Sequence, residues 1–386
     1  MKTNSVSESV SQYVVVFRAL SAPMFPRGKE IKIDNTTSLG TVLLTYRTHH
    51  VNIGLAHPLP GDLRIDARGP ANSVENAVSV FGGIVGTLTP IISFSTNAAI
   101  SDLEPELVFN NTCGLKTRDF LQSMLPGKRP IVHAGRKVNS EATIGLINAI
   151  ETSSEKDRIV RAILQYSLAL RHWRWGHETL ATAHLYIGME TITKAVIRSR
   201  LAASNINQEQ FARDLGINPD NLAPNCTLPQ AIEVAVRKNL LFQGDDQCYK
   251  DAKDASDGFE HGFMPFDKIR NKARAVRDKT AKYLRKVILD LVGIENTYRD
   301  ILLATPYDVP LGNWPVVKYI RGQLLGDSDN LAAKGKKYPI MAWHSTIKSI
   351  DFSKSGGYAI KFKETLRAHL GNGISFQAGT FEVWAP

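Results

Sequence analysis

Seven residues, Arg171-His172-Trp173-Arg174-Trp175-Gly176-His177, concentrate side chains that can move protons and hold anions. Histidine titrates near neutrality and so can take or give a proton, while a guanidinium keeps its charge and can hold an anion. A second cluster, Asp257-Gly258-Phe259-Glu260-His261-Gly262-Phe263, sets a histidine beside a carboxylate just before a strongly basic stretch. There nine basic residues from Lys268 to Lys286 are set against the acids Asp267, Asp278 and Asp290. Lys268, Lys272, Arg274, Arg277, Lys279, Lys282 and Arg285 are the candidates for gripping nucleic-acid phosphates, and Arg270-Asn271 adds an arginine–polar pair.

Other chemistries lack their signatures. No Walker loop, no GxGxxG after a strand, no GxSxG and no HExxH occurs. Cys113, Cys226 and Cys248 are odd in number and widely spaced, which argues against a disulfide framework or a zinc finger. His49-His50 and His57 fall on a strand and its turn without nearby acid ligands, so neither a metal nor a cofactor is expected.

The elements that must position these residues follow from periodicity. Residues 1–12 are polar and serine-rich, a disordered lead-in. Short strands are predicted at Tyr13–Phe17, Glu30–Asp34, Thr41–Tyr46, Val51–Leu55 and Leu63–Ala67, which together make an antiparallel sheet. Val74, Val78, Phe81, Val85 and Leu88 then fall four and three apart, a helix with Asn72 at its cap. A strand at Glu106–Phe109 and a short helix at Thr117–Leu125 complete a β-rich domain over 13–125, and 126–150 is read as a linker.

A capping box at Thr152-Ser153-Ser154-Glu155 opens a helical domain over 151–300. Its first helix carries Ile159, Ile163, Tyr166, Leu170 and Trp173, breaks near Gly176, and pairs with a second helix from Glu178 to Leu201. Thr227-Leu228-Pro229-Gln230 caps a helix to about Leu241, a polar loop follows, and the last long helix buries Phe266, Ile269, Ala273, Val276, Thr280, Tyr283, Val287 and Leu291. Strand-like segments at Ile347–Phe352, Tyr358–Phe362, Ile374–Gln377 and Phe381–Trp384 form a C-terminal β segment over 301–386. The fold class is therefore α+β. The apolar run from Val78 to Ile100 is cut by Gly82, Gly83, Gly86 and Pro90, and the N-terminus has no apolar leader, so the expectation is a cytoplasmic protein without membrane partners.

Ala169-Leu170-Arg171-His172-Trp173, Ala181-Thr182-Ala183-His184-Leu185-Tyr186-Ile187-Gly188-Met189-Glu190 and Phe259-Glu260-His261-Gly262 together resemble the HEPN superfamily of helical domains, and its ApeA-like bacterial branch in particular. The resemblance covers roughly residues 155–292. It implies a metal-independent ribonuclease of the bacterial defence or toxin type, with RNA as partner and a homodimer as the working form. On that reading His261 or His177 is the acid/base and Arg171 or Arg270 holds phosphate. The Arg171–His177 spacing fits the family's arginine-to-histidine motif but lies at the end of the first helix, whereas His261 has the family's place without its arginine. A silent dimeric interaction protein, with the β domain as recognition module, is the alternative.

Overall fold

A computed structural model describes residues 10–51, 59–113, 119–123, 135–305, 317–325, 340–351, 359–369 and 375–384. The fold is α+β, and the chain divides into two compact units, the second made of Asn313–Pro386 with Leu55–His57.

The first unit starts with β1 (Ser11–Ala19), β2 (Pro23–Met24), β3 (Ile31–Thr37), β4 (Gly40–Val51) and β5 (Leu59–Ala71). After α1 (Val74–Thr96) come β6 (Glu104–Asn110), β7 (Phe120–Gln122) and β8 (Arg136–Lys137). Six strands form one antiparallel sheet in the order β3-β4-β5-β1-β6-β7, with Val15 of β1 opposite Ala67 of β5 and Val108 of β6. Alternation decides its faces. Val15, Phe17, Leu44, Tyr46, Leu63 and Ile65 belong to the buried core, whereas Arg18, Arg47 and Arg64 pair with Asp62, Asp66 and Glu106 on the other face.

The helix α1 packs on this sheet through Phe81, Val85 and Leu88. It is long and apolar enough to cross a bilayer, but more than half of its most apolar stretch is buried inside the protein. Its cap is Ser73, whose hydroxyl accepts from the Asn76 amide, one residue on from the expected Asn72. Residues 120–122, expected as helix, are strand β7 against β6. Exposed Phe120 and Leu121 have no inward partner to favour a helical face. Of the expected strand Val51–Leu55, all but Val51 lies outside the described residues, as do residues 117, 118, 124 and 125 of the expected helix and 126–134 of the expected linker.

The helices continue with α2 (Ser140–Thr152), α3 (Lys156–Arg171), α4 (Glu178–Ser204), α5 (Gln208–Asp214), α6 (Leu228–Ala235), α7 (Asp246–His261), α8 (Phe266–Val292) and α9 (Asn296–Leu303). Residues 140–150, read as linker, are thus helix, capped by Asn139 and buried through Ala142, Leu146 and Ile150. The expected capping box does not form, because Thr152 ends α2 and donates to the Asn148 carbonyl, and α3 begins after Glu155 without a side-chain cap. The Thr227/Gln230 capping box does form. The expected polar loop after Leu241 is largely α7, whose cap Asp245 accepts from the Cys248 amide.

Four helices make the bundle that carries the chemistry. Gln165 meets His184 and Glu155 meets Arg198, so α3 and α4 are antiparallel. Asp251 and Asp254 meet Lys272 and Asp245 meets Lys279, so α7 and α8 are antiparallel as well. Glu178 meets Arg274, and a Cβ at Gly188 would lie 2.7 Å from Leu284, so α4 and α8 run parallel. Sheet and bundle share one continuous hydrophobic core. The second unit contains two antiparallel pairs, β10 (Ile340–Asp351) with β11 (Ala359–His369) and β12 (Ser375–Trp384) with β9 (Val317–Leu325).

Candidate functional site

The turn from α3 to α4 holds three histidines in a stack. His172 closes α3, and its ring lies between those of His177 and His184, with centroids 5.8 and 5.7 Å away and planes within 10° and 9° of parallel. His177 sits at the N-cap of α4, and His184 follows two turns later on the same face. The Nδ1–H of His184 donates to Gln165 Oε1 at 2.8 Å, which leaves its Nε2 as the acceptor.

The surroundings of all three imidazoles favour the neutral form. Burial, then His184, His177 and the Arg174 and Arg171 charges, push His172 down to about 4. Burial and the Arg174 charge lower His177, and burial alone lowers His184. Nδ1 of His172 is buried and has no hydrogen-bond partner among the described residues. The rings lie parallel and do not converge on one point, and among the described residues no group of three His, Cys, Asp or Glu side chains could hold a metal.

Around the stack the two tryptophans divide their work. Trp173 is buried under the Arg277 guanidinium, 4.3 Å from the ring centroid, whereas Trp175 is 69% exposed. Glu178, 3% exposed, receives Arg274 at 3.0 Å. Burial works to raise its carboxyl, but the free amides at the start of α4 and the Arg274 charge hold it below the usual carboxylate range. Arg171, which spacing pairs with His177, is instead bonded to Asp102 in the segment after α1, and among the described residues no hydrogen bond joins it to His177.

His261 and Arg270 lie at this same end of the bundle, on the hairpin between α7 and α8. Since α4 begins level with Arg274, the eight residues of α8 before it extend about 12 Å beyond the first residue of α4. This tip has a small core of its own, made by Ala255, Ile269, Ala273 and Met264. His261 is exposed at the end of α7, and Arg270 pairs with Asp267. Phe259, Phe263 and Phe266 are also exposed there, Phe266 against the expectation that it is buried. Ile269, Ala273, Val276 and Thr280 are buried as expected, Tyr283, Val287 and Leu291 are half-buried, and the buried face continues through Leu284 and Ile288, since the helix packs against α4 on one side and α7 on the other.

The basic face of α8 is different from its sequence. Lys272 is taken by Asp251 and Asp254, Arg274 by Glu178, Arg277 by Asp278 and Lys279 by Asp245. Arg285, nominated as a phosphate contact, is fully buried, and its Nη2 donates to the Ser95 carbonyl at 2.8 Å. Lys268 and Lys282 are exposed and make no ion pair among the described residues. The acids that neutralise this helix come mostly from α7 and from the start of α4, so counting charge along α8 alone overstated its field.

The seven-residue step from His177 to His184 places those two on one helical face in the sequence, whereas His172 joins them by closing a turn and Gln165 reaches His184 from the neighbouring helix, neither of which spacing singles out. No family model matches the chain, and no curated protein or solved structure matches it.

Proposed function

We propose that the α3–α4 end of the bundle is a metal-independent site acting on RNA phosphodiesters. The histidine stack among arginines carries this reading. A neutral His177 accepts the proton of a ribose 2′-hydroxyl as its oxygen attacks phosphorus. The bond from phosphorus to the 5′-oxygen breaks, that oxygen leaves with a proton from water, and a 2′,3′-cyclic phosphate remains. The Arg174 charge beside His177 offsets the charge that develops on the phosphoryl oxygens. His172, in the middle of the stack, fixes the orientation of the His177 ring. His261 and Arg270 lie on the projecting tip at the same end of the bundle.

The test is incubation of the purified protein with tRNA in EDTA. Cleavage is expected, and His177→Ala is expected to slow it by about 100-fold, the usual worth of a positioned proton acceptor. No cleavage, or cleavage unchanged in both His177→Ala and His261→Ala, overturns the reading.

A second reading has its own observation. Trp175, Phe259, Phe263 and Phe266 are exposed at this end, and the basic helix beside them is largely neutralised, which suits a protein-binding surface of a catalytically silent dimer. Light scattering separates the two. Self-association lost in Phe263→Asp/Phe266→Asp, in a protein indifferent to RNA, favours the second.

A further inference from the structure

The opposite end of the bundle carries a cavity remote from the histidine stack. Between the last turns of α4 and α8 and the segment after α6 lies an open cavity of about 520 Å³, within the size range of small-ligand sites. Its lining joins an apolar floor of Val196, Leu240 and Val287 to two cations, Arg200 and Lys286. Neither cation makes a hydrogen bond or ion pair among the described residues. The single acid on the rim, Asp290, is occupied by Arg299 at 2.6 Å, so the charge left to the cavity is positive.

The backbone beside it is also unusual. Val236–Leu241 is a π-helix, closed by the Phe242 amide donating to the Arg237 carbonyl at 2.9 Å. Such wide turns are rare and occur frequently at functional sites. Gln243 then takes a left-handed conformation at φ 55°, which a side chain bearing a Cβ adopts at a cost. This turn supplies Asn239 and Gln243 to the lining, two amides able to bond a polar head.

We propose that this cavity binds a small organic anion with an apolar body. Arg200 and Lys286 hold the anionic head, and Val196, Leu240 and Val287 receive the body. The direction of selectivity follows from the chemistry. Two cations without partners favour the anion over an uncharged molecule of the same shape, and the apolar floor favours it over inorganic phosphate.

The test uses the full chain and 8-anilinonaphthalene-1-sulfonate, followed by fluorescence and calorimetry. One saturable site is expected. Arg200→Gln/Lys286→Gln is expected to weaken it by at least about tenfold with the thermal midpoint unchanged. Ala203→Trp, which fills the cavity without touching a charge, abolishes binding, and Lys268→Gln/Lys282→Gln, exposed cations elsewhere on α8, leaves it unchanged. N-phenyl-1-naphthylamine, the uncharged analogue, binds at least about tenfold more weakly. Binding at several sites insensitive to these variants, equal affinity for the uncharged analogue, or full binding by the double glutamine variant overturns the proposal.

Discussion

His172 illustrates how one side chain couples geometry to solution behaviour. Its folded value of about 4 lies below the ordinary 6.5, so the unfolded chain binds the extra proton between those two values. Stability from this group is therefore fully present above about pH 6.5 and lost as pH falls towards 4. The full shift corresponds to about 3 kcal/mol, and access of solvent to the ring reduces that to about 1–2 kcal/mol. Urea denaturation of wild type and His172→Gln at pH 7, 6, 5 and 4 checks it: the wild-type curve falls more steeply by that amount. Parallel curves would show that the stack carries no such coupling. Arg285 offers a second test at this scale. It is fully buried on the carbonyl end of α1, so Arg285→Ala leaves both a void and an orphaned Ser95 carbonyl, and an expected loss of about 3 kcal/mol. Arg285→Met fills the void and recovers most of it in the same denaturation assay.

At the scale of elements, two glycines separate the causes that sequence cannot. A Cβ at Gly188 would meet Leu284 at 2.7 Å where α4 and α8 cross, whereas nothing lies within 4 Å of one at Gly83 on the exposed side of α1. Gly188→Ala is expected to cost about 2 kcal/mol through overpacking, and Gly83→Ala to gain about 0.5–1 kcal/mol by restricting the unfolded chain. Chemical denaturation of both variants checks the signs. The same contrast explains what was legible. The sheet strands, α3, α4 and the Thr227 cap were readable because their apolar spacing or hydroxyl–amide pairs are local. The helix α7 was not, since its buried face consists of Cys248, Ala252, Ala255 and Ser256, too small to mark an apolar stripe among so many charges. The histidine stack was half legible, because the step from His177 to His184 lies within one helix whereas His172 joins them across a turn. The α8 surface was misread for a related reason: Asp245, Asp251, Asp254 and Glu178 are distant in sequence from the cations that they neutralise.

For the whole molecule, the shared core of sheet and bundle predicts indivisibility. Fragments 1–138 and 139–305, expressed separately, are expected to show no cooperative thermal unfolding, whereas 1–305 retains it, since the core passes from Phe81 and Leu88 through Tyr166 to Leu284. Calorimetry decides this, and a cooperative transition in either short fragment would refute it. The end of α1 is where the two parts are fastened. Arg136 donates to the Asn97 carbonyl at 2.7 Å, Tyr166 to the Asn97 side chain at 2.7 Å, and Arg285 to the Ser95 carbonyl from 190 residues away. That last separation has a consequence in time. A ribosome adding about 5–20 residues per second needs roughly 10–40 s to reach Arg285 after finishing α1. Throughout that interval an apolar helix stands without its final partner, so the nascent sheet is expected to be protease-sensitive on chains stalled before residue 285 and protected on chains stalled well beyond it.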